Sequence, residues 1–111
     1  MKRDYKDILK KHIRELFQIL SQYDVTDKKS LVERAETDIV FQKAILMSVG
    51  YIGELSKKMD PADKPEDVGV NWRRLGTSRN IIFHEYDIVD IEIISTVVFR
   101  DIVALSKIIG A

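Results

Sequence analysis

The stretch from Phe41 to Leu55 narrows the folds open to this chain more than any other. Phe41, Ala44, Ile45, Leu46, Met47, Val49, Tyr51, Ile52 and Leu55 leave almost no polar side at helical spacing. A helix that is apolar on most sides has to be covered from several directions, at the centre of a bundle or in a subunit interface. Gly50 and Gly53 lie within it, and each costs a helix about 1 kcal/mol relative to alanine. Close approach of a neighbouring helix, or a kink, would account for the pair.

The flanking patterns are helical too. Ser30 to about Met59 reads as one helix without proline, opened by Ser30 and Glu33 as a capping box. Ahead of it, Asp4 to about Tyr23 repeats apolar residues in steps of three and four, from Tyr5, Ile8 and Leu9 through Ile13, Leu16 and Leu20. Asp4 is its expected N-cap, and His12 sits at the rim of the stripe. Asp60 to Asn71 carries Pro61, Pro65 and Gly69 and reads as the long loop. Asn71 then caps a helix that begins at Trp72, an expected core anchor, and is interrupted or tightened near Gly76-Thr77-Ser78. The last segment, Asp87 to about Ile109, is rich in β-branched residues, and Ile91-Glu92-Ile93 alternates like a strand. It is too long for an ordinary strand, and Ile91, Ile94, Val98, Ile102, Leu105 and Ile109 keep helical spacing, so it reads as helix with Asp87 or Asp90 as cap. These patterns predict an all-α fold: an antiparallel four-helix bundle in a single domain over residues 1–111.

Composition removes several classes of function. Cysteine is absent, which excludes disulfides, thiolate metal sites and thiol nucleophiles. Lys+Arg and Asp+Glu number 18 each, so any nucleic-acid contact has to come from a local patch. Met1 to Asp7 is charged and lacks the apolar core of a signal peptide, and no apolar run is long enough to span a bilayer. The expectation is a cytoplasmic protein without membrane contact.

Chemistry concentrates in Arg79-Asn80-Ile81-Ile82-Phe83-His84-Glu85-Tyr86. Arginine offers a planar fork of donors for a phosphate, and imidazole exchanges protons near neutral pH. The pair suits RNA, whose 2′-hydroxyl is an internal nucleophile beside its phosphate. His84 would act as base or acid, Arg79 would hold the phosphate, and Asn80 would orient His84 or donate to a phosphate oxygen. Arg73 and Arg74, with Arg79, would form the local RNA-binding patch. No His, Asp and Glu set has metal-ligand spacing, and no cofactor is implied. On a regular helix Arg79 and His84 diverge by about 140°, so one straight helix does not focus both on one point. Two copies about a two-fold axis would build a composite cleft.

Arg79-Asn80, three residues, His84, one residue, then Tyr86 resembles the R-x4-H-x-Y signature of HEPN proteins, specifically the HepT-like toxins. Trp72 seven residues before the arginine, Tyr51-Ile52-Gly53-Glu54-Leu55, and an aspartate soon after the tyrosine, Asp87 or Asp90, extend the likeness over essentially the whole chain. Gly76-Thr77-Ser78 departs from it, since members often carry an apolar residue there. The resemblance implies a HEPN-like, homodimeric, metal-independent endoribonuclease toxin of a type VII-like HepT/MntA pair. It implies Arg79 and His84 as the catalytic pair, with Asn80 in the polar slot. It also implies that the partner, an MntA-like nucleotidyltransferase antitoxin, neutralises the toxin by adenylylating Tyr86. Two other readings remain open: a non-catalytic helical module that binds a nucleotide or a nucleotidyltransferase, and a plain dimerisation domain.

Overall fold

The computed structural model describes residues 5–111, so the expected cap Asp4 lies outside the described residues. All regular structure among them is helical. The helices are α1 (Tyr5–Gln22), α2 (Lys28–Thr37), α3 (Ile39–Lys57), α4 (Trp72–His84) and α5, a continuous helix over 91–109. Short 3-10 turns occupy Pro61–Asp63 and Tyr86–Ile88. No helix among the described residues is long and apolar enough to cross a membrane.

The helix expected from Ser30 to Met59 is two helices. Asp38 breaks it: its backbone is extended, and its side chain accepts from Phe41 N at 3.1 Å, capping α3. Thr37 helps to end α2 by donating its hydroxyl to the carbonyl of Glu33 at 3.0 Å. An Asp caps a new helix as readily as any residue does, so no glycine or proline is needed at the break. Ser30 is not the cap of α2 either. Asp27 is, in a reciprocal box: Ser30 N donates to Asp27 Oδ1 at 2.8 Å and Asp27 N donates to Ser30 Oγ at 3.1 Å. The Ser30 backbone N–H, and after it the Ser30 side chain, hold the Asp27 carboxyl below the usual range.

α4 starts where expected, with Asn71 Oδ1 accepting from Arg74 N at 2.9 Å. It then runs uninterrupted through Gly76-Thr77-Ser78, where a break was expected. The strand-like run at its far side is helix: α5 comprises Ile91–Thr96, a wider π-wound Val97–Ile102 and Val103–Ile109. Asp90 rather than Asp87 caps it, accepting from Glu92 N at 2.9 Å. Trp72 packs against the core half-buried and donates Nε1 to the carbonyl of Pro65 at 3.2 Å, tying the long loop to α4.

Leu9, Ile13 and Leu16 of α1, Phe41, Ile45 and Ile52 of α3, Leu75 of α4, and Val98, Ile102 and Leu105 of α5 bury their side chains together. α3 packs against both α1 and α4, which accounts for the buried part of its apolar circumference. The two glycines mark close approach: α4 lies directly against both positions of the unbroken helix α3. A Cβ on Gly53 would stand 2.8 Å from Arg79 Cβ and 3.0 Å from the Leu75 carbonyl oxygen. On Gly50 it would stand 2.9 Å from Phe83 Cζ, the far end of a side chain that is 40% exposed, and 3.2 Å from Ile82 Cγ2. Gly53→Ala is therefore expected to destabilise the fold by about 1–3 kcal/mol through overpacking against backbone, with Gly50→Ala milder. Urea unfolding midpoints of the two variants check the order.

Candidate active site

α3 and α4 run antiparallel, and the motif is fitted to α3 rung by rung. At one end Lys43 Nζ lies 5.2 Å from the centre of the Tyr86 ring. Next, Phe83 covers Gly50, and Arg79 passes over Gly53. Arg79 Nε stands 2.6 Å from Glu54 Oε2, a close charge contact whose N–H points out of line for a hydrogen bond. At the other end Asn80 Oδ1 accepts from Arg79 Nη1 at 3.0 Å and lies 3.5 Å from Lys57 Nζ. The Arg79 guanidinium also stacks over the Phe83 ring at 5.2 Å. Charge, ring and neighbouring amide thus fix the guanidinium in place before any substrate arrives.

His84 is the last residue of α4. Its side chain is exposed and makes neither a hydrogen bond nor an ion pair with any described residue, including Glu85 and Asp87. Glu85 leaves helical geometry at φ −138°, ψ 46°, so the helix ends between His84 and Tyr86. Tyr86 opens the following 3-10 turn, 38% exposed. His84, Glu85, Tyr86, Asp87 and Ile88 together line a hollow of about 300 Å³. The helix end turns imidazole and phenol, two residues apart, toward one depression.

Asn80 is committed to the cations beside it, and its oxygen does not contact His84. Its amide nitrogen remains a donor. Arg73 is exposed on α4. Arg74, expected beside it in an RNA patch, faces the other way. Its Nε and Nη2 donate to Asp101 Oδ2 and Oδ1 at 2.7 and 2.8 Å, and Asp101 is fully buried. That pairing raises the Arg74 pKa above its ordinary value. Asp101 Oδ1 also accepts from Asn71 N at 2.9 Å, so the carboxylate ties the start of α4 to α5. His12, on α1, sets its ring edge against Tyr51 at 4.4 Å, a half-buried rim histidine as expected.

Glu54, Lys43 and Lys57 were not among the expected site residues. A signal for Glu54 exists, since it is the only acidic residue between Ile39 and Lys57. An isolated carboxylate on an otherwise apolar helix calls for a cationic partner.

A family model described as ribonuclease HepT-like matches residues 9–111. No solved structure matches the chain.

Proposed function

The chain belongs to the HepT-like ribonuclease family, and from that premise we propose that it is a metal-independent endoribonuclease toxin acting as a homodimer. One observation carries the reading. Arg79 is held rigidly along the α3–α4 seam while His84, at the end of the same helix, is exposed and unengaged. Such an arrangement keeps a phosphate-binding cation preorganised and a proton-transfer group available.

In the proposed reaction a base takes the 2′-hydroxyl proton, the 2′-oxygen attacks phosphorus, and the 5′-oxygen leaves with a proton from an acid. The products are a 2′,3′-cyclic phosphate and a 5′-hydroxyl. His84 serves as base or acid. Arg79 and the Asn80 amide hold the phosphoryl oxygens as charge builds on them. A second subunit supplies the second histidine in a composite cleft. The surface flanking the motif suits such pairing, with Met47 63%, Phe83 40% and Ile88 69% exposed. Apolar side chains of this size, left open around one site, mark an association surface. Sedimentation at micromolar concentration is expected to show a dimer, and Met47→Glu to give a monomer that no longer cleaves RNA. A wild-type monomer that cleaves RNA would refute the composite cleft.

We assign Tyr86 as the target of a cognate nucleotidyltransferase. Its phenol oxygen would attack the α-phosphorus of ATP, release its proton and expel pyrophosphate. The adduct would place a phosphate and a nucleoside over the hollow beside His84, blocking RNA by charge and bulk. Tyr86→Phe is expected to cleave RNA at the wild-type level and to escape silencing when co-expressed with the transferase. Mass spectrometry that finds AMP elsewhere, or a silenced Phe variant, would remove this role.

A further inference from the structure

We propose that Lys57 forms a second phosphate subsite for single-stranded RNA, next to the phosphate held by Arg79. The inference rests on the ribonuclease reading and extends it to the opposite helix. Lys57 lies in the last turn of α3. Its stem runs over Gly76 of α4, where an added Cβ would stand 3.8 Å from Lys57 Cδ. That is ordinary van der Waals contact, so the lysine stem lies along the seam against this turn of α4 and carries its ammonium to Asn80.

There the charges are unbalanced. Asn80 Oδ1 accepts from Arg79 Nη1 at 3.0 Å and stands 3.5 Å from Lys57 Nζ. Two cations thus converge on one neutral oxygen. Glu54 offsets Arg79 at 2.6 Å and also reaches Lys58 at 3.7 Å. Among the described residues Lys57 has no carboxylate within 4.0 Å. Like charges held this near each other favour an anion between or beside them. Both cationic groups reach the same Asn80 oxygen, so two phosphates joined through a single ribose can each meet one of them. Lysine suits the outer position, as a point charge that follows a mobile backbone, while the planar fork of Arg79 suits the reacting phosphate.

The test uses 2′-O-methyl RNA, which binds without being cut, titrated against the full-length protein over a range of salt. Lys57→Gln is expected to bind more weakly at low salt. Its plot of log affinity against log salt should be shallower by about 0.7, the loss of one single-strand phosphate contact, and Lys57→Arg should restore the wild-type slope. A lysine that only completes the end of α3 would alter the urea midpoint and leave the slope alone. A Lys57→Gln slope equal to wild type overturns the inference, while wild-type cleavage in the same preparation leaves the ribonuclease reading standing. Lys57-dependent binding by a wild-type protein that cuts no RNA would instead sustain the subsite and remove the catalytic reading. Absence of any RNA binding removes both.

Discussion

Replacing His84 by alanine is expected to lower kcat/KM for RNA by about a hundred- to ten-thousand-fold, the range of a lost general acid or base. The fold should be untouched. His84 is exposed at the end of α4 and holds no described residue in place, and surface changes of that kind usually move stability by less than about 0.5 kcal/mol. That separation makes the variant informative. Arg79→Ala should also abolish cleavage, but it strips Glu54 of its partner and uncovers the seam at Gly53, so part of its effect would be structural. Cleavage rates and urea midpoints measured side by side check the prediction. A His84→Ala protein that folds normally and cleaves at the wild-type rate would remove His84 from the chemistry.

The largest stability effect is expected far from the motif. Asp101 is fully buried and accepts three hydrogen bonds, two from Arg74 and one from Asn71 N. Removing one member of a buried ion pair typically costs about 3–5 kcal/mol. Arg74 keeps its side chain 28% exposed and recovers some hydration, so the lower end, about 3 kcal/mol, is the better expectation for Asp101→Ala. That lowers the melting temperature by roughly 10–20 °C for a domain of this size. Replacing both partners, Asp101→Leu with Arg74→Met, should regain much of the loss, because neither charge is then left unpaired. Thermal melts of the single and double variants check both statements. An Asp101→Ala protein as stable as wild type would show that the start of α4 does not depend on this tie.

Much of the candidate site was legible because its determinants are local. The cap at Asn71 and the helical period of Ile94, Val98, Ile102 and Leu105 each depend on neighbours within a few residues. Features that depend on distant partners were not legible. Arg74 looked free beside Arg73, and its partner lies on another helix, 27 residues away. Gly50 and Gly53 were equally compatible with a kink until Phe83 and Arg79 were found against them. The break at Asp38 is local yet was hidden, since Thr37-Asp38 carries no proline or glycine and the apolar pattern continues across it. The reciprocal box of Asp27 and Ser30 was missed for a related reason. Ser30 followed by Glu33 satisfies the same motif in a different frame, and only the backbone geometry separates the two.

The α3 side of the site also lay outside a reading centred on the motif. Glu54 sets the position of Arg79, and Lys43 flanks Tyr86, so the helix that first limited the fold also forms half of the site. Its apolar circumference has two causes. One part is buried against α1 and α4, and another, at Met47 and around Phe83, is left open beside the motif.

The most direct test of the central claim is incubation of the purified protein with end-labelled RNA in EDTA, beside the same sequence as 2′-O-methyl RNA. RNA should be cut to fragments ending in 2′,3′-cyclic phosphate and 5′-hydroxyl, the methylated strand should survive, and His84→Ala should leave nearly all of the RNA uncut over the same time. Cleavage that stops in EDTA and returns with magnesium, or that proceeds on the methylated strand, would contradict it.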